Sequence, residues 1–311
     1  MKTGADAPVM SVIIAVYAAA SFASVLDLAN EAYAGGEYGK AIGLYKQAVA
    51  GGENPALCYF NMANAYFQLD SLSRAIVYYR SCVSHAPDFF RGWLNLAIAY
   101  YTLDDAGRCI AALRHALSIE PENQKAMLVL AAAYRKAGGL RQSAVEFERV
   151  LTRYPETDEA YIALGEIYRE LDDTEEAVKW LSRYPSAGKN PGYVLLLLAD
   201  IYESRGDVTS AIYYLRKAFE SDMSKRWTFF RMVSLYRESG NIHVALEEAQ
   251  YGLGLFPDFA DLALIAGTCA FDLGLYEQAG RYYSIAASHG SAAGIIGLEN
   301  VRIVQNSGAG L

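Results

Sequence analysis

Between Tyr59 and Pro87 lie two asparagines, Asn61 and Asn64, one thiol, Cys82, and the rings of Phe60, Tyr66, Phe67 and Tyr79. Asparagine offers a donor and an acceptor and can hydrogen-bond a peptide backbone. Aromatic rings make apolar pockets that anchor side chains. The four cysteines, Cys58, Cys82, Cys109 and Cys269, form no CxxC pair, and their wide spacing is no zinc or redox motif. Cys82 and Cys109 stand where equivalent stretches carry Ala, which reads as small buried filler. A Cys82–Cys109 disulfide stays open in an oxidising compartment. The carboxylates of Glu159, Glu166, Glu170, Asp200 and Glu203 could attract a hard cation, yet they lack the spacing of a calcium loop. His85, His115, His243 and His289 belong to no HExxH and to no readable nucleophile set. Neither catalysis, nor a metal site, nor a cofactor is expected.

What positions these residues is a repeat. Tyr59, Met62-Ala63, Tyr66, Asp70, Ala75, Tyr79, Cys82 and Pro87 are answered, 34 residues later, by Trp93, Leu96-Ala97, Tyr100, Asp104, Cys109, Leu113, Ala116 and Pro121. A fixed period of that length decides the fold class. The same register fits eight consecutive blocks, beginning at Phe22, Ala56, Phe90, Gln124, Asp158, Gly192, Arg226 and Ala260, without insertion or deletion. Position 15 of every block is Gly or Asp. Gly there suits a left-handed helix end, and Asp suits a turn or the N-cap of a following helix. Each block therefore splits into two helices joined by a short turn. Small residues at positions 8 and 20 let the pair approach closely. Large apolar residues prevail at positions 7 and 24, and Tyr fills position 11 in the six central blocks, so each helix has a core face.

This pattern resembles the tetratricopeptide repeat family over nearly all of the chain after residue 22. The matching residues are the aromatic at position 4, the apolar-small pair at 7 and 8, Tyr at 11, Gly or Asp at 15, Ala at 20, Tyr or Phe at 24, Ala at 27 and Pro at 32. The resemblance implies an all-α fold: a right-handed superhelical α-solenoid of helix-turn-helix repeats over 24–293. Ile295, Ile296, Leu298, Val301 and Val304 suggest a capping helix in 294–311, with Ser307 to Leu311 a frayed tail. In the fifth block Tyr184-Pro185 falls where the second helix should still run, so that helix is expected to stop early. Ser186 to Pro191 would then be an extended connector, either a local irregularity or a bend dividing the array into five and three repeats.

The resemblance also implies that positions 2, 5, 6, 9, 12 and 13 of the first helices line a concave groove holding a peptide or protein segment. Those positions place Asn30, Phe60, Asn61, Asn64, Phe67, Arg91, Asn95, Tyr101, Lys125, Arg135, Trp227, Phe230 and Arg231 in the candidate site. Asn30, Asn61 and Arg91, and one block later Asn64, Asn95 and Lys125, fit three places of the family's carboxylate clamp. In both registers the Lys at position 5 is replaced, by Leu26 or Phe60, and the last basic member by Asn95 or Val129. Arg91, Lys125, Arg135 and Lys136 make a basic segment, the five carboxylates above an acidic one, and Trp227, Phe230, Arg231 and Arg237 follow. A groove so lined would be segmented by charge and would fix the register of an extended ligand.

Lys2 precedes an uncharged run from Val9 to Ala20, with Ser21 and Ala23 behind it, which resembles a secretory signal peptide cleaved after Ala23. From Val9 to Leu26 no residue is charged, which also permits an uncleaved membrane anchor over 1–23. A formal net charge of −8 argues against general nucleic-acid binding. The expected function is a non-catalytic interaction scaffold in the periplasm or cell envelope, able to self-associate through its exposed ends. The alternatives are an accessory subunit recognising glycan or peptidoglycan, and a cytoplasmic adaptor or co-chaperone.

Overall fold

The computed structural model describes residues 24–308 apart from 186, 187, 190, 223 and 224. The expected signal or anchor segment lies outside the described residues. Seventeen α-helices and no strand occur among those described. The first helices of the eight repeats are α1 Val25–Ala34, α3 Pro55–Gln68, α5 Phe90–Thr102, α7 Gln124–Lys136, α9 Asp158–Glu170, α11 Pro191–Ser204, α13 Arg226–Glu238 and α15 Ala260–Asp272. The second helices are α2 Tyr38–Ala50, α4 Leu72–His85, α6 Ala106–Ile119, α8 Leu140–Arg153, α10 Thr174–Leu181, α12 Val208–Ser221, α14 Ile242–Leu255 and α16 Tyr276–Ser288. A last helix, α17, covers Ala292–Gly308.

Every first helix ends at position 13 and every second helix begins at position 17. The turn between them is one device used eight times. Position 15 has positive φ throughout, from 53° at Asp70 to 82° at Gly240. Its N–H donates to the carbonyl of position 12, and the next N–H to that of position 11, as in Gly36 to Tyr33 and Glu37 to Ala32. These two bonds satisfy carbonyls that a helix end leaves unpaired. The Asp residues at position 15 thus take the left-handed conformation rather than an N-cap role. Capping falls one residue later, where Asp105, Asp173 and Asp207 accept from the backbone N–H groups of Arg108, Glu176 and Ser210.

The chain divides into two compact units, 1–155 and 156–311, each with four repeats, so the division lies between the fourth and fifth repeats and not after the fifth. In the first unit one core runs from Ile42 to Ala133, and a smaller one joins Ala29, Ala41, Tyr45 and Met62. In the second, one core is centred on Leu215, Phe229, Met232 and Leu262, and another on Leu181, Leu197 and Ile201. Positions 8 and 20 are buried in all eight repeats, from Ala29 and Ala41 to Gly267 and Ala279. Among first helices, α5 meets α7 in the first unit, and α9 meets α11 and α13 meets α15 in the second.

α10 ends at Leu181, six positions before the usual end of a second helix. Pro185 follows, whose ring would strike the carbonyl of Leu181 and whose nitrogen has no proton to give it. The connector is shorter than expected, because Pro191 is already the first residue of α11, where a proline is tolerated. Ser186, Ala187 and Asn190 lie outside the described residues. α17 also departs from expectation: it runs through Ser307 to Gly308, and Ile295 and Ile296 point outward, 61% and 63% exposed. Its inner face is instead made by Gly294, Gly297 and Val301. A Cβ at Gly297 would stand 2.5 Å from the Tyr283 ring, so only glycine lets the helix seat there.

Tyr66 at position 11 is 8% exposed and stacks on Tyr78 with ring centroids 5.3 Å apart. Tyr66→Ala is expected to cost about 3–5 kcal/mol in denaturant unfolding, as for other buried aromatics. A loss well under about 1 kcal/mol would contradict this burial.

Candidate functional site

The first helices of the first unit carry a polar ladder. Asn30 Oδ1 accepts the Tyr45 hydroxyl at 2.8 Å and Asn61 Nδ2 at 3.1 Å. One repeat later, Asn64 Oδ1 accepts the Tyr79 hydroxyl at 2.5 Å and Asn95 Nδ2 at 3.0 Å. Each step uses the same three positions: 9 and 24 of one repeat and 6 of the next. The internal bonds use only the carbonyl of the position 9 amide. They leave its N–H₂ group and the carbonyl oxygen of the position 6 amide for a ligand, one donor beside one acceptor. At the third joint these positions are Ile98 and Val129, and the ladder ends.

The second step opens on a cavity of about 350 Å³ lined by Tyr33, Asn64, Phe67, Gln68, Tyr79, Asn95, Ile98 and Lys125. The structure therefore brings Asn64, Phe67, Asn95 and Lys125 together, with Lys125 exposed at the rim. Burial deprives a Tyr79 phenolate of water and pushes that hydroxyl well above the ordinary tyrosine range. Burial also raises Tyr45, to about 12. Both hydroxyls stay protonated as donors and hold the amides in one orientation.

Other sequence-selected residues have different placements. Phe60 is half-buried, edge-on to Phe89 at 5.1 Å and tilted against Tyr79 at 6.0 Å, so its ring closes a joint between repeats. Arg91 is exposed, and Arg135 is half-buried near the end of α7. Tyr101 is half-buried beneath Lys136, whose Nζ lies 4.5 Å from its ring centroid and 2.8 Å from Asp104. In the second unit Trp227 is 57% exposed, edge-on to Phe259 at 4.8 Å and to Phe230 at 5.6 Å. Phe230 in turn tilts against Phe259 at 5.7 Å.

The charge segmentation expected of the groove is corrected in the second unit. Arg231 Nη1 donates to Asp200 at 2.5 Å, and its Nε and Nη2 donate to Glu203, Nε at 2.9 Å. Burial opposes the charge on Arg231, but these carboxylates outweigh it and hold the guanidinium above its ordinary range. Asp200 is position 9 and Arg231 position 6 of the next repeat. This joint is the charged counterpart of the asparagine ladder, and its two carboxylates engage the one guanidinium. The disulfide option also closes. All four cysteines are free and buried, and burial pushes the thiols of Cys109 and Cys269 to about 11 and that of Cys82 to about 12. Such thiols are poor nucleophiles at neutral pH.

Sequence reading selected Asn30, Asn61, Asn64 and Asn95 but not the tyrosines that orient them. The signal was present as two spacings, 15 residues from Asn to Tyr and 31 from Asn to Asn.

The tetratricopeptide repeat models match residues 26–88, 128–193 and 230–293, and again 90–123 and 193–222. Curated protein sequences yield no match. A tetratricopeptide repeat protein from Parabacteroides merdae ATCC 43184 is similar in structure, with a TM-score of 0.52 at 15% identity over 80% of this chain and 99% of that one. A structure of Naa15/Naa10 bound to HypK-THB gives a TM-score of 0.55 at 14% identity, covering 80% of this chain and 39% of that one. These likenesses concern the fold alone.

Burial raises the hydroxyls of Tyr45 and Tyr79 above an unfolded value near 10, so the folded state binds protons more tightly. Their contribution is complete below about pH 10, shrinks as the unfolded tyrosines ionise above it, and is gone once pH passes the folded values, about 12 for Tyr45. In unfolding measured from pH 8 to 12, Tyr45→Phe/Tyr79→Phe is expected to start about 1–3 kcal/mol less stable and to lose less on the alkaline side. A wild type and a variant declining in parallel would contradict the ladder.

Proposed function

Because this chain belongs to the tetratricopeptide repeat family, we propose that it is a non-catalytic scaffold that holds an extended peptide or protein segment along the first-helix face of its first unit. The supporting observation is the paired amide donor and acceptor that Asn64 and Asn95 leave free beside a mostly polar cavity in which Phe67 and Ile98 form the apolar part. A residue of an extended chain presents its own N–H and C=O to one side, and the two asparagines offer the complement. Phe67 and Ile98 supply an apolar wall for one ligand side chain, and Lys125 at the rim attracts a carboxylate. Asn30 and Asn61 repeat the arrangement one step earlier, which would set the direction and register of the ligand.

We place this scaffold in the cell envelope, because Lys2 and the uncharged run from Val9 to Ala20 precede the first repeat. Protein recovered from native membranes or periplasm and beginning at Ser24, or retaining the run as an anchor, is the expected finding. An intact Met1 on soluble cytoplasmic material would overturn the placement.

Asn64→Asp is the sharpest variant for the peptide reading. A carboxylate keeps the acceptor that Tyr79 and Asn95 use and removes the free N–H₂ donor. A peptide selected on the wild-type chain from a displayed library is expected to bind Asn64→Asp roughly tenfold more weakly in fluorescence anisotropy, the scale of one charge-sensitive hydrogen bond. Trp227→Ala should bind as wild type does. Equal affinity of Asn64→Asp, with the helix content of wild type, would overturn the reading.

A further inference from the structure

The second helices of the first three repeats have a charge pattern that stacking does not explain. α2, α4 and α6 carry Lys40, Lys46, Arg74, Arg80, Arg108 and Arg114 and no Asp or Glu, in a chain of formal charge −8. The six cations occupy two register positions, 19 and 25, so they form two rows across three successive helices, and all are exposed. Between the two rows, position 22 is Gly43, Val77 and Ala111, uncharged in all three helices and exposed.

Some of these residues have structural partners. Arg74 and Arg108 rest on the rings of Tyr66 and Tyr100, at 5.7 and 5.1 Å from the centroids. Lys40 pairs with Glu37 at 2.8 Å, Arg108 with Asp105 at 2.5 Å, and Arg114 donates to the Tyr134 hydroxyl at 2.8 Å. Among the described residues no carboxylate pairs with Lys46 or Arg80. In the second unit position 19 is Glu176, Ser210, Val244 or Gln278 and position 25 is Ser182, Arg216, Gln250 or Ser284, so a single cation, held by Glu248 and Tyr236, stands where the first three repeats have six. The fold does not require the cations, so their rows are available for a ligand.

We infer that this second-helix face of the first unit docks on an anionic phospholipid surface. A membrane leaflet is broad, planar and multivalent, matching rows of charge that converge on no single pocket. Its negative potential attracts clustered Lys and Arg close to the surface. If the uncharged run that precedes α1 is retained as an anchor, it supplies a second attachment on the same unit. One apolar anchor joined to one polybasic patch gives stable membrane attachment where either alone is marginal. The asparagines stand on α1, α3 and α5, whereas the cations stand exposed on α2, α4 and α6, where only the buried Tyr45 and Tyr79 reach the ladder, so this inference stands independently of the peptide reading.

The test is co-sedimentation of the full chain with phosphatidylcholine vesicles and with vesicles containing about 30% phosphatidylglycerol, an anionic lipid. The wild type is expected to partition roughly tenfold or more in favour of the anionic vesicles, and to lose that preference at about 1 M salt, where the screening length is about 3 Å. Lys46→Gln/Arg80→Gln/Arg114→Gln should abolish the preference while keeping the helix content and the affinity for a selected peptide. If loss of the Arg114 bond to Tyr134 impairs folding, Lys46→Gln/Arg80→Gln carries the test, with a preference reduced several-fold. Equal partition of the wild type on both vesicles, or an unchanged preference in a folded variant, would overturn the inference. So would tighter binding to polyglutamate or to an RNA oligomer than to anionic vesicles.

Discussion

The close approach of two helices within each repeat is the constraint on which the rest depends. At positions 8 and 24 the side chains are complementary in volume. Ala63 faces Tyr79 and Ala97 faces Leu113, whereas Val233 is matched by Ala249. Where position 8 is glycine, a Cβ would stand 2.4 Å from Leu181 at Gly165 and 2.6 Å from Tyr283 at Gly267. Interiors packed as densely as organic crystals leave no slack for such a methyl group. Fixing this contact fixes the rotation of both helices, and so decides which positions face the core and which remain for other molecules.

The joints between repeats add a polar device at positions 9 and 6 of neighbouring repeats. In the first unit it is amide to amide, and the tyrosine at position 24 completes it. At the joint of the sixth and seventh repeats it is carboxylate to guanidinium, and Arg231 is engaged internally. The same place in the fold therefore holds free amide groups at two joints of the first unit and a paired guanidinium at this one. Half-buried polar groups must find partners. The amide version satisfies its inner half and leaves its outer half free, the feature on which the proposed recognition rests. On the second helices of the first three repeats lies a different surface, cationic and with no carboxylate on those helices, so the first unit presents two faces of unlike chemistry.

Most of the fold was legible because stacking imposes the same demand every 34 residues. The αL turn at position 15, the small residues at 8 and 20 and the early end of α10 before Pro185 all follow from local rules. Less legible were the features that depend on a third residue. Arg231 looked like a free groove cation until Asp200 and Glu203, at spacings of 31 and 28, were seen to hold it. Phe60 looked like an anchor for a ligand, but it leans on Phe89. Ile295 and Ile296 looked like a core stripe, yet glycines on the opposite side let α17 turn them outward. The sequence periodicity names the face on which a residue sits. It does not name the partner that has already claimed that residue.

The central claim is that recognition belongs to the first-helix face of the first unit and is made by side-chain amides held in place by buried tyrosines. Side-chain amide NMR of the labelled chain during titration with a bound peptide tests it most directly. The largest shifts are expected at the Nδ2 groups of Asn64 and Asn95, smaller ones at Asn30 and Asn61, and none at Asn241 in the second unit. Shifts confined to the second helices or to the second unit would contradict the account.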